Sequence, residues 1–223
     1  MLSNAGVFKL MQFRKFWKIE YTLTLFAIFA IVVLLLPTTI QSARQASLIS
    51  RWNEKYNRVN YMFSVLNTHA NEDIIQNLKN TQNMDEKSKL MILLMQPYLR
   101  ISSDNIPTKR YRPRYMNNSR IKKNHLFYFD NFYFAENNTI IGIKDLPQQS
   151  AEDPLFMLMF DMNGLIPPNR WGKDIFGVNI YSQGYIEPFG RQYDLSEVKF
   201  DCSEKGLGIK CSYYYIIGGG FDE

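Results

Sequence analysis

Residues 21–36 read YTLTLFAIFAIVVLLL, an apolar run without a single charged side chain. With Phe16, Trp17 and Ile19 ahead of it, the segment 16–36 has about the 20 residues a helix needs to cross a bilayer. Lys9, Arg14, Lys15 and Lys18 precede the run, and the first acidic residue is Glu20. That bias predicts a cytoplasmic N-terminus and an exported remainder. Three readings compete: a cleaved secretory signal, a plain signal anchor, or a more specialised segment. A secretory signal ends in small residues, whereas this run ends Leu34-Leu35-Leu36-Pro37-Thr38, a poor cleavage site.

The other side of the run holds enough material for one domain. The chain has 223 residues, of which 46% are hydrophobic and 15% aromatic, so it is not a disordered or low-complexity protein. Two cysteines and two histidines are too few for a zinc cluster or a disulfide-dense scaffold. Neither His69 nor His125 neighbours a credible nucleophile or metal set, and the sequence has no phosphate-cradling glycine loop and no Ser/His/Asp arrangement. An enzyme is therefore not expected. The net charge of +5 suits an acidic partner without demanding nucleic acid.

After Pro37 the residues Leu48, Trp52, Tyr56, Val59, Phe63 and Leu66 recur at helical spacing, opposite Arg44, Glu54, Lys55, Asn57 and Asn60, which suit solvent. One helix over 16–67, about 75 Å long and bent but not ended at Pro37, follows. Segment 73–99 carries a second helical pattern, capped by Asp85 or Ser88 before residues 89–95 and ended by Pro97. Segment 109–123, KRYRPRYMNNSRIKK, contains Lys109, Arg110, Arg112, Arg114, Arg120, Lys122 and Lys123 and no acid. Interleaved with Tyr111 and Tyr115, these residues can bind phosphates and stack on bases; a solvated loop is the plainer reading. Beyond it, 126–134, 139–143, 155–162, 174–181 and 212–217 read as strands, separated by turn signals at Glu136-Asn137-Asn138, Asn163-Gly164 and Gln183-Gly184. The expected fold is α+β, with a long N-terminal helix packed on a small antiparallel sheet.

Two sets of residues resemble one family. Phe16-Trp17-Lys18-Ile19-Glu20, the apolar run and Pro37 resemble the start of type IV pilins and type II secretion pseudopilins, whose mature chains begin with Phe, carry Glu fifth and often have Pro twenty-second. Residues 160–190 look like the C-terminal signature of a bacterial group of such pilins. Asp161, Asn163, Gly164, Pro168 and Asn169 fit its first half, and Gly172, Asp174, Phe176, Gly184, Pro188 and Gly190 its second. The resemblance implies a structural subunit of a pseudopilus or pilus-like fibre in the bacterial inner membrane. It also implies a prepilin peptidase cutting between Lys15 and Phe16, an inner-membrane assembly platform, and copies of itself or other pilin-like subunits as partners. Glu20 would neutralise the first-residue amine of a neighbouring subunit, because a buried carboxylate is tolerable beside an opposite charge. Lys15 stands where the family carries Gly, so removal and retention of the leader both stay open.

The organisation expected is a basic leader over 1–15, a membrane and assembly helix over 16–36 and an amphipathic stem over 37–67. A helical excursion and basic loop occupy 68–123, and a β head 124–223. The alternative is an unprocessed, membrane-anchored extracytoplasmic protein that binds DNA or a secreted substrate. Asp161, Asn163 and Asp174 are oxygen donors of the kind calcium takes, and major pseudopilins hold one calcium near this end. A backbone turn held by the same side chains, with Gly164 at positive φ, is the competing reading. Cys202 and Cys211 on the exported side are expected to be oxidised to each other, with two free buried thiols as the alternative.

Overall fold

A computed structural model describes residues 4–69, 78, 81, 84–102, 104–148, 150 and 152–220; inside helices, side chains are described for 19–35, 39–66, 68 and 86–99. The side chains of Lys15, Phe16, Pro37 and His69 lie outside the described residues, as do those of Lys9, Arg14, Lys18 and Asp85 and most of segment 73–83. The chain divides into two compact units, Met1–Ala46 and Ser47–Glu223.

The first unit is helix throughout its described length. It is the N-terminal part of α1, Asn4–His69, which begins before the expected start at 16 and continues through Pro37. An 18-residue window of α1 has a mean hydropathy of 2.6 and none of it is buried. By length and composition α1 is able to span a membrane.

In the second unit the chain continues from α1 into α2 (Met84–Leu99) and five strands. These are β1 (Asn131–Ala135), β2 (Thr139–Asp145), β3 (Pro154–Asp161), β4 (Ile175–Tyr181) and β5 (Ile186–Pro188). Two short helices, α3 (Leu195–Asp201) and α4 (Cys211–Ile216), close the unit. The strands pair in sequence order and every pair is antiparallel. This is the expected α+β fold.

The strand pleat sends alternate residues to opposite faces, and each face has its own core. Ile141, Ile143, Leu158, Phe160, Phe176 and Val178 face Leu48, Trp52, Val59, Met62 and Phe63 of α1 and Met91 and Met95 of α2. Register explains why these strand residues share a side: Ile141 stands opposite Phe160, and Leu158 opposite Val178. The other face holds Phe132, Ile140, Met157, Met159 and Ile175 under Tyr111, Tyr115, Phe129, Trp171 and Phe189. A one-sided cover by the stem is the expectation; the segment 104–130, with Trp171 and Phe189, supplies a second one.

Gly177 makes the second cover possible. A Cβ there would come within 2.4 Å of the Phe189 ring and 2.6 Å of the Leu158 carbonyl oxygen, so only glycine lets Phe189 pack this close to β4.

Several expected elements are corrected. A strand is expected over 212–217, but Cys211–Ile216 form α4, because helical spacing lets Cys211, Ser212, Tyr214 and Tyr215 all turn inward. Pro97 does not end α2, which runs on to Leu99. Ser88 lies inside that helix and is buried, so it is not a cap. Strand β1 starts at Asn131 rather than at 126. Lys55, placed with the solvent face, is only 3% exposed.

Candidate functional site

Three regions carry the residues that the sequence singles out. The first is the apolar half of α1. Leu25, Phe26, Phe29 and Leu34 are each more than half exposed. Glu20 is exposed among them, and its backbone carbonyl accepts a hydrogen bond from Thr24 Oγ1 at 2.7 Å. That bond folds the hydroxyl back on the helix, and Glu20 carries the one acidic or basic side chain between Ile19 and Leu35.

The second region is the link from β3 to β4. Asp161 Oδ1 accepts the backbone N–H groups of Asn163 (3.0 Å) and Gly164 (2.9 Å), while Oδ2 accepts the Tyr111 hydroxyl at 2.6 Å. Asp174 accepts the N–H groups of Asn169 (2.9 Å) and Arg170 (2.6 Å) through its two oxygens. Gly164 has φ +68°, and a Cβ on it would meet the Asn138 carbonyl oxygen at 2.3 Å. The signature thus builds two carboxylate-held turns back to back. Burial, and next the Asp174 charge, push the Asp161 pKa well above the ordinary carboxylate range; burial likewise raises Asp174.

Calcium takes about six to eight oxygens. Among the described residues no three His, Cys, Asp or Glu side chains converge. All four oxygens of Asp161 and Asp174 already accept hydrogen bonds from the chain. These contacts favour the turn reading.

The third region is the basic segment, and the second anchors it. The Arg114 N–H donates to the Asn169 carbonyl (3.0 Å), and the Trp171 N–H donates to the Arg114 carbonyl (2.9 Å). A further backbone bond joins the Tyr115 N–H to the Ser119 carbonyl (3.1 Å). Tyr111 and Tyr115, expected as stacking residues, are 1% and 6% exposed and belong to the second core, so they anchor the segment instead. The cations are left outside. Lys109, Arg112, Arg114, Arg120 and Lys123 border one concavity of about 450 Å³, whose aromatic wall includes the half-buried Tyr128. Arg110 and Lys122 are exposed on the same segment. Sequence reasoning missed Tyr128, which lies past the basic run and carries no spacing signal.

Two further contacts fix the head. Lys55 Nζ lies 2.9 Å from Glu136 Oε1, and Arg58 pairs with the same carboxylate. Partial burial works to raise the Glu136 pKa, but the Lys55 hydrogen bond and the charges of Lys55, Arg58 and Arg100 hold it below the ordinary glutamate range. Cys202 and Cys211 form a disulfide with a Cα–Cα distance of 5.2 Å, joining the end of α3 to the start of α4. His125, exposed, meets the Tyr115 hydroxyl through Nδ1 at 2.7 Å.

Compared with known protein families, with characterised proteins and with solved structures, the chain matches none of them.

Proposed function

We propose that this chain is a structural, pilin-like subunit of a type II secretion pseudopilus or type IV pilus-like fibre, assembling through the apolar half of α1. The observation that carries the reading is a contrast within one helix. Large side chains at 19–35 stand exposed, while those at 48–63 are buried against a sheet. Each Leu, Ile or Phe moved out of water contributes about 1.5–3 kcal/mol, so a surface of this kind is driven into lipid and then against neighbouring helices.

Glu20 supplies register. A carboxylate near the centre of a bilayer costs about 2.5–3.5 kcal/mol, less at its edge, and a cation from an adjoining subunit offsets that cost. The N-terminus lies in the cytoplasm and the head is exported, where the Cys202–Cys211 disulfide persists. Prepilin peptidase, the inner-membrane assembly platform, membrane lipid and other pilin-like subunits are the partners. No chemical step is asked of the head.

Glu20→Ala tests the assembly mechanism. Membrane fractionation should be unchanged, and cross-linking between subunits in sheared fibre fractions should be lost. Unchanged incorporation overturns the role of Glu20. Mass spectrometry of the native N-terminus separates the two forms of the reading. A chain starting at methylated Phe16 supports processing and polymerisation, whereas an intact Met1 supports an unprocessed anchored binding protein.

A further inference from the structure

We propose that the basic groove of the second unit binds single-stranded nucleic acid, with phosphates on its arginines and lysines and a base stacked on Tyr128. All of its residues lie within Ser47–Glu223, so the proposal stands apart from how the chain assembles.

Geometry is the first argument. The concavity bordered by Lys109, Arg112, Arg114, Arg120 and Lys123 is lined by five cations and no acid. A second concavity, of about 500 Å³, adjoins it and is lined by Thr108, Lys123, Tyr128, Asp130 and Lys144. Thr108, Lys123 and Tyr128 line both, so the two make one groove with Tyr128 at the junction. Each half has the volume of a small-ligand site, large enough for one nucleotide. A repeating chain of charge and planar ring fits two adjoining sites that share a cation and an aromatic wall.

Availability is the second argument. Among the described residues none of Lys109, Arg112, Arg120 and Lys123 forms an ion pair with a carboxylate. Arg114 donates to the Asn118 carbonyl at 3.2 Å, which uses only part of its guanidinium. Among the described residues no aromatic ring pairs with Tyr128, in contrast to its neighbour Phe127, which packs on Trp171 and Phe189. Asp130 is the one acid in the groove and Lys144 is close enough to feel its charge.

Preorganisation is the third. Backbone bonds to Asn169 and Trp171 hold Arg114, and the Tyr111 hydroxyl on Asp161 holds the strand of chain between Lys109 and Arg112. Lys144 Nζ donates to the Leu126 carbonyl at 2.7 Å, tying the far wall to β2. A groove already in shape spends less of its interaction energy on ordering itself. Duplex DNA keeps its bases stacked inside and cannot offer one to Tyr128.

The test uses the full chain in detergent micelles and a fluorescein-labelled oligothymidylate of about 12 nucleotides, read by anisotropy. Binding is expected at about 50 mM salt and should weaken at least about tenfold by about 200 mM. Tyr128→Ala should weaken oligothymidylate roughly tenfold, Tyr128→Phe should retain it, and inorganic polyphosphate should bind the Tyr128→Ala chain as it binds the original. Arg112→Gln with Arg120→Gln should weaken both probes, and Lys199→Gln with Lys205→Gln, exposed cations that line neither concavity, should weaken neither. The proposal is overturned by any of four results. These are no binding at low salt, no effect of Tyr128→Ala, a duplex of equal length or polyphosphate binding as tightly as the oligothymidylate, and a loss from the Lys199/Lys205 pair equal to that from the arginine pair.

Discussion

Residues 19–35 and 48–66 belong to the same helix and both carry large apolar side chains, yet they meet opposite surroundings. Leu34 is 73% exposed and Trp52 is fully buried. The difference lies in distribution. Around Trp52 the apolar residues keep to one stripe and charged residues take the rest, so one face can dock on a sheet while the other stays wet. At 19–35 the helix is apolar on every side, and no single sheet face could cover it. A stripe is satisfied within its own domain; a greasy cylinder is satisfied by lipid or by a ring of neighbours.

Substitutions on the two segments should therefore diverge. Trp52→Ala removes a ring stacked on Phe176 at 5.3 Å and a hydrogen bond from Nε1 to the Ser212 carbonyl at 2.9 Å. It should cost the head about 3–5 kcal/mol in chemical denaturation. Cys202→Ser with Cys211→Ser should cost about 2–3 kcal/mol, from the loop-closure entropy of a short ring. The loss should fall toward the low end. Asp201 still holds that loop by accepting the N–H groups of Leu207 (3.0 Å) and Lys210 (2.8 Å).

Lys55→Ala should cost about 1–3 kcal/mol, because it leaves the partly buried Glu136 short of one donor while Arg58 remains. Phe29→Ala, in the apolar half, should leave head denaturation unchanged within experimental error and change only membrane or subunit association. If Phe29→Ala destabilised the head as Trp52→Ala does, the contrast between the segments would fail.

Acid–base behaviour gives a smaller effect of two signs. The folded pKa of Glu136 is depressed, so its contribution is present above the ordinary glutamate range and is lost as pH falls below about 4. The folded pKa of Asp161 is raised, so its contribution runs the other way: stability rises as pH drops from neutral toward the ordinary aspartate range. Thermal unfolding across pH should show an optimum on the acid side of neutrality. Asp161→Asn should raise the midpoint at pH about 7 and remove the rise between neutral and mildly acid pH. An unchanged profile would mean that Asp161 is ionised in the folded protein.

Much of the architecture could be read along the chain. The 3- and 4-residue spacing from Leu48 to Leu66 located the docked stripe, and β-rich runs between Asn and Gly turns located β2, β3 and β4. The fate of single side chains was harder to read. Lys55 looks like a solvent residue by type, and becomes a buried one because Glu136, 81 residues away, sits above it. The Tyr-rich 212–217 has strand propensity, but Tyr215 and Ser212 are drawn inward against β4, where the Gly177 N–H donates to Ser212 Oγ at 2.9 Å. Helical spacing wins there because burial outweighs a weak local preference.

Local order in the sequence was enough to specify an apolar cylinder, an amphipathic stem and the β-rich runs of a sheet, and it offered a carboxylate-held turn at Asp161 beside a calcium site. Each depends on neighbours only a few positions apart. Which cations share a groove, which tyrosine stays accessible and which carboxylates lose their solvent required the folded chain. Those properties arise from residues far apart in sequence meeting at a few ångströms, where desolvation and pairing are decided.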